Sequence, residues 1–509
     1  MKNKALDCLF VHSDSSTAAY QSLSGKFSAI EPPTWSLLLA ESCRSKGFNV
    51  GILDCCAEQI NVSEAVDRIV NISPRVTCFV VYGQNPNAGT TSMIGATALA
   101  SELSSSSLDT HITFVGSHVS ALPRDVLAET YIDSILLNEG VYALWNLLRS
   151  NLNGDNLINI RGIGWKKPDG EIVLNIPERI VPQERMDIDM PGYAWDLLPM
   201  KSKPLDLYRS HVWHGDFNEQ IRTPYAAIYT SLGCAYGCEF CMINILNRTD
   251  NSADISSGDS RIMRFWSPDW VLKQFSILRK LGVKTIRLSD EMFLLNHRYY
   301  VPILNRLVKD EYDLHMWAYS RIDTVREKML GLVRAAGIKW LALGIEAGSQ
   351  IVRQEVSKGS FKDVNVRDIV KMINANDINV IGNYIVGFPG DNYETMTSTL
   401  NMALELNTEM MNVYPCQALP GSPLYTRARK EGWALPSTYE EFGFLSYECN
   451  PLPTKHLSGS QVLEFRDYFW STYFKNPAFL SKVESRFGLA QRINVEEMAK
   501  HYLKRKVLE

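Results

Sequence analysis

Long apolar runs are absent from this chain. No stretch reaches the roughly 18–20 residues that a membrane-crossing helix needs, so no span is predicted. A dominant charge is also missing. Lys and Arg total 52 against 56 Asp and Glu, a net charge of −4, which offers no general attraction to nucleic acid or a membrane surface. No internal repeat is found, and the Ser104–Ser107 run is a short loop, not a low-complexity domain. Ten cysteines show no paired framework, which argues against disulfides and for a reducing cytoplasm. The start of the chain, charged and then apolar through Val11, is interrupted by Asp7, His12 and Asp14. It reads as a first β-strand and not a signal peptide.

What is present is ordinary for a globular protein: 45% hydrophobic and 21% charged residues. A length of 509 residues exceeds one core and predicts two or three domains. Residues 5–150 alternate apolar runs (Leu6–Val11, Val50–Leu53, Val76–Tyr82, Ile112–Val115, Ser134–Leu137) with helical patterns, some with apparent caps at Ser63 and Thr91. Such alternation predicts a parallel, doubly wound sheet of flavodoxin-like or Rossmann-like order. Ligands of such sheets sit at the carboxyl ends of the strands. Here those ends carry small, polar, Gly-rich loops containing Gly83, Asn85, Thr91, Gly116, His118 and Glu139.

Residues 151–222 read as a linker with a small hairpin around Pro168-Asp169-Gly170. From 223 to 430 six further βα units are expected, with polar residues at the strand ends, as in a partial (β/α)6 barrel. Residues 431–509 read as a helical extension. Phe465, Tyr468, Phe469 and Tyr473 form a packing stripe, and Lys500–Lys506 reads as a solvated helix face.

One motif carries most of the functional information. Cys234, Cys238 and Cys241 lie in Gly233-Cys-Ala-Tyr-Gly-Cys-Glu-Phe240-Cys. Three thiolates at this spacing can hold three irons of a 4Fe-4S cluster. No neighbouring fourth Cys closes the shell, and an open position is what a catalytic metal site requires. A structural zinc site would need a fourth Cys or His at short spacing, and His211 and His214 make no such pair.

With Phe240 before the last cysteine, this run resembles the radical SAM superfamily. The resemblance implies that the open iron chelates S-adenosyl-L-methionine (SAM) and that one-electron cleavage releases a 5′-deoxyadenosyl radical. It extends along the chain. Ser289-Asp290-Glu291 falls where the family contacts the methionine amino group, which suits a carboxylate. Gly344-Ile-Glu346-Ala-Gly348 resembles the ribose-contacting stretch, and the segment Gly382–Gly390, which contains Gly387, resembles the region that packs on adenine. Arg321 is a candidate for a carboxylate of SAM or substrate, with an Arg321–Asp323 salt bridge as the alternative. Cys416 reads as a buried structural thiol.

The N-terminal region resembles a cobalamin-binding domain, and Gly116-Ser117-His118 resembles its Gly-Gly-x-His stretch. The Asp-x-His-x-x-Gly motif that supplies an axial histidine is absent, which implies that no histidine binds the cobalt from below. His118 itself reads as a loop hydrogen-bonder. The resemblance as a whole implies a methyltransferase acting through methylcobalamin on an unactivated carbon of a small or sugar-like molecule. It also implies an electron donor such as flavodoxin or ferredoxin. A non-methylating cyclase or rearrangement enzyme is the alternative, and a cobalamin- or SAM-binding sensor without turnover is a second.

Overall fold

The computed structural model describes residues 6–83, 86–247, 261–356 and 365–509. The first sheet contains β1 (Cys8–His12), β2 (Val50–Asp54), β3 (Val76–Val81), β4 (His111–Gly116), β5 (Ser134–Leu136), β6 (Ile163–Lys166) and β7 (Ile172–Leu174), in the order β2-β1-β3-β4-β5-β6-β7. The first five are parallel, in flavodoxin-like order. The last two pair antiparallel. The hairpin expected in the linker therefore widens this sheet by two strands.

The strands are apolar on both faces because helices cover both. Cys8, Phe10, Cys78 and Val80 join one core with Leu37, Leu38, Leu144 and Leu148. Leu9, Val11, Phe79 and Val81 join the other with Val66, Ile69, Met93 and Leu99. The expected caps differ by a few residues. Asn61, not Ser63, accepts the Glu64 N–H at the start of Val62–Ile72, and the helix Gly89–Ser104 begins after Ala88 without a side-chain cap.

The second sheet begins with β8 (Tyr225–Ile228). A two-stranded antiparallel hairpin follows, β9 (Ser231–Leu232) with β10 (Arg264–Phe265). The sheet then continues through β11 (Thr285–Leu288), β12 (His315–Arg321), β13 (Ile338–Glu346), β14 (Asn379–Val386) and β15 (Met410–Pro415). All six long strands are parallel and each pairs with its neighbour in sequence, which gives a curled half-barrel. Trp213 from the preceding segment packs against Trp317 and Trp340 at ring distances of 5.0 and 5.5 Å.

The helix Gly459–Phe474 lies along β15, and buried Arg466 donates to the Val413 carbonyl. Phe465, Phe469 and Tyr473 are buried as a packing stripe, whereas Tyr468 is exposed. The basic end departs from expectation. Residues 500–505 are not helical, and Arg505 is buried in a two-point pairing with Asp467. No helix of the described residues is long and apolar enough to cross a membrane.

Candidate active site

A cavity of about 1340 Å³ opens at the carboxyl ends of the barrel strands and reaches the edge of the first sheet. Cys234, Cys238, Phe240 and Cys241 line it, together with Asn87 and Thr91 from the other sheet. The cysteine loop leaves β9 through Gly233, whose φ of +90° favours glycine. The Cys241 N–H closes a turn on the Cys238 carbonyl, which holds the second half of the cysteine loop at the cavity wall.

Burial, the first cause in each case, pushes the Cys234 thiol up to about 12, Cys238 to about 11 and Cys241 well above its ordinary value. A bound cation would favour the thiolate forms against this shift. Donors already face two of the sulfurs. Arg321 Nη1 lies 4.0 Å from Cys238 Sγ, and Asn87 Nδ2 lies 3.8 Å from Cys241 Sγ. Soft sulfur ligands ringed by N–H donors suit an iron–sulfur cluster.

Arg321 also makes a two-point pairing with Asp323, at 3.0 and 2.9 Å, and its guanidinium lies 3.8 Å from the Tyr236 ring centre. The salt bridge considered from sequence is therefore present, and one guanidinium edge still reaches the cysteine loop.

The two adjacent carboxylates separate. Asp290 is fully buried and is not among the cavity-lining residues. It accepts the Thr230 N–H at 2.9 Å, the Thr230 hydroxyl at 2.7 Å and the Ser231 hydroxyl, and so braces the start of the cysteine loop. Glu291 lines the cavity, and its Oε1 has no hydrogen-bond partner among the described residues. Burial raises its carboxyl to about 7, against the opposing charge of Arg287. Glu346 also lines the cavity, and burial raises it to about 7, opposed by Arg321. It sits at a register shift in β13 with φ of +65°, a conformation unusual for a glutamate and often found where function demands it. Two half-buried carboxylates facing one cavity fit the ammonium and ribose hydroxyls of SAM.

Phe240 packs on Phe388 at 5.6 Å. Gly387 is not among the cavity-lining residues. It turns with φ of +86°, and a Cβ there would meet Val462 at 2.3 Å, while Ile385 two residues earlier faces the cavity. Cys416 is buried, as expected, though it touches the cavity wall.

On the first sheet, Thr91 lines the cavity and its hydroxyl donates to the Ala88 carbonyl at 2.9 Å. Gly83 has φ of +65°, and a Cβ would come within 2.8 Å of Ala88. Gly116 lets β3 approach closely, since a Cβ would strike the Val81 carbonyl at 2.4 Å. These two glycines let the loop and strand backbones pack closely beneath Asn87, Ala88 and Thr91, which line the cavity.

His118 is buried away from the cavity, bonded through Nδ1 to the Thr90 hydroxyl at 3.0 Å and edge-on to Tyr439. Its sequence reading as a hydrogen-bonder matches this placement. Glu139 is also turned inward. It accepts the Val181 N–H and pairs with Arg264. Asn85 lies outside the described residues. Asn87 was not singled out from the sequence, because a loop asparagine gives no signal of a contact made 154 residues away.

Family models match two parts of the chain: the radical SAM superfamily over residues 228–403 and the B12 binding domain over residues 21–148. An uncharacterized methyltransferase of Pyrococcus horikoshii is 24% identical over 89% of both chains. The anaerobic magnesium-protoporphyrin IX monomethyl ester cyclase of Rubrivivax gelatinosus is 25% identical over 93% of this chain and 78% of its own. Among solved structures, the radical SAM methyltransferase TsrM from Kitasatospora setae, with cobalamin and a [4Fe-4S] cluster bound, aligns with a TM-score of 0.67 at 15% identity. That alignment covers 97% of this chain and 99% of TsrM. The cobalamin-dependent radical enzyme OxsB aligns at the same TM-score and 16% identity, over 97% of this chain and 72% of OxsB. These structural likenesses establish the shared fold.

Proposed function

This chain is a radical SAM enzyme with a B12-binding domain, and from that premise we propose that it methylates an unactivated carbon of a small, polar molecule. The observation that carries the reading is one cavity shared by three cysteines, two cavity-facing carboxylates and the edge loop of the B12-binding sheet. The bound cluster, SAM and cobalamin supply one-electron cleavage and the methyl group.

The residues of the chain bind, orient and shield. Cys234, Cys238 and Cys241 would hold the cluster and leave it open to SAM. Glu291 takes the methionine ammonium and Glu346 the ribose hydroxyls, both as carboxylates. Arg321 stiffens the loop by its hold on Asp323 and Tyr236 and places positive charge beside Cys238. Phe240 and the turn at Gly387 shape the adenine side. Thr91, Gly83, Gly116 and the loop through Asn85 border the corrin, with His118 and Glu139 supporting those loops from within. The inward placement of His118 supports a cobalt that takes no histidine from below.

The proposed units are a cobalamin domain over 1–150, a linker over 151–222, a radical SAM core over 223–430 and a helical region over 431–509. Pairing of β6 and β7 with the first sheet supports counting part of that linker with the first unit. The substrate side of the cavity presents Asn383, Asn412, Tyr414 and Gln417. Amide and phenol groups there support a hydroxyl- or amide-bearing substrate. Reduction by a flavodoxin or ferredoxin in the cytoplasm completes the reading.

The test uses anaerobically purified, cluster-reconstituted protein with cobalamin, SAM and a low-potential reductant. Methyl transfer predicts both deoxyadenosine and S-adenosylhomocysteine. Deoxyadenosine alone would instead favour a cyclase-like reaction, the course suggested by the Rubrivivax relative. Protein that binds no cobalamin would overturn the methyl-transfer reading.

A further inference from the structure

Asn87 follows β3 on the B12-binding side, yet its side chain is spent on the cysteine loop of the barrel. Nδ2 lies 3.8 Å from Cys241 Sγ, and Oδ1 accepts the Met242 N–H at 3.2 Å. The amide orientation is fixed by its partners. A flipped amide would set oxygen against sulfur and NH2 against an N–H, losing both bonds. The backbone that presents Asn87 is also held. Thr91 and Ser92 hydroxyls both reach the Ala88 carbonyl, and Ala88 packs close to Gly83.

We propose that Asn87 is a positioning residue that ties the B12-binding domain to the cluster loop and raises the reduction potential of the cluster. The proposal rests on the reading of the three cysteines as cluster ligands. An N–H pointed at a thiolate stabilises negative charge on sulfur. That charge is greater in the reduced cluster, so the reduced form gains more and the potential rises. The same side chain fixes the spacing of the two cofactor-bearing loops, because its second bond holds the next backbone amide, at Met242.

The experiment is a redox titration of the cluster, followed by electron paramagnetic resonance, in full-length reconstituted protein and in Asn87→Asp and Asn87→Leu. Asn87→Asp keeps size and the acceptor for Met242 but replaces the donor with an anion. It should hold iron and sulfide as the parent does and titrate at a clearly more negative potential. Asn87→Leu should also shift negative, by less. A purely structural asparagine would leave the potential of the neutral Asn87→Leu at the parent value, and that result overturns the proposal. If Asn87→Leu fails to fold, Asn87→Ala, read in the same way, decides. A parent protein that takes up no cluster would refute the reading of the cysteines, whereas a parent with a normal cluster and no methyl transfer would leave the Asn87 titration fully readable.

Discussion

Arg264, on the hairpin that brackets the cysteine loop, forms a buried ion pair with Glu139 at the edge of the first sheet, 2.8 Å from Nη2 to Oε2. Both side chains are only 4% exposed. The same guanidinium donates to the Val181 carbonyl at 2.6 Å. Breaking a buried pair leaves one charge without compensation, at a cost of about 3–5 kcal/mol. Arg264→Leu should therefore lower the denaturant midpoint strongly and loosen cluster retention. The double variant Arg264→Leu/Glu139→Leu should recover part of the stability. A midpoint unchanged in Arg264→Leu would show that the pair is not holding the two sheets together.

Asp290 and Glu291 are neighbours in different surroundings, one bonded within the core and one lining the cavity, and they should fail differently. Asp290→Ala strands the Thr230 and Ser231 donors in the core. Loss of about 3 kcal/mol is expected, from several bonds to a charged acceptor. Glu291→Gln removes a carboxylate that has little to hold it, so stability should change by less than about 0.5 kcal/mol. Its SAM affinity should fall on the order of tenfold or more, as for one charge-assisted bond. Calorimetry on reconstituted protein would separate the two. Equal SAM affinity in Glu291→Gln and the parent would remove Glu291 from the site.

This split shows where the sequence was legible. The strand order followed from alternating apolar runs, since buried parallel strands cannot hide their hydrophobicity. The cysteine motif was legible because its three members fall within the short run Cys234–Cys241. Which of Asp290 and Glu291 faces the cavity was not legible. Successive strand-end residues point to opposite sides, and a shift of one position exchanges them. Glu139 and Arg264 were equally hidden. Glu139 follows β5 in a loop and Arg264 lies on β10, and their pairing over 125 positions depends on how two sheets meet. Arg505 misled for a similar reason: a basic tail reads as solvated until Asp467 is placed beside it.

Glu346 holds φ of +65°, where a side chain costs about 1 kcal/mol relative to glycine. Glu346→Gly should unfold at an equal or higher denaturant concentration than the parent, while SAM binding weakens. Glu346→Gln should weaken binding without that stabilisation. A Glu346→Gly variant that is both less stable and normal in SAM affinity would contradict a residue strained in the service of binding.

His118 gives a pH signature that belongs to the first domain. Burial lowers its imidazole to about 4, from an ordinary value near 6.5, so the folded protein holds it neutral beside Thr90 and Tyr439. Between these values the unfolded chain binds the proton and the folded one does not. Stability from this group is therefore complete above about pH 6.5 and is lost as pH falls toward 4. The full difference is about 3 kcal/mol. His118→Gln keeps a hydrogen-bonding side chain but cannot titrate. Urea unfolding at pH 7.5 and pH 5 should show a smaller drop for His118→Gln than for the parent. Equal drops would mean that His118 is already protonated in the folded state or remains open to water, and the inward hydrogen bond to Thr90 would then not be what holds it neutral.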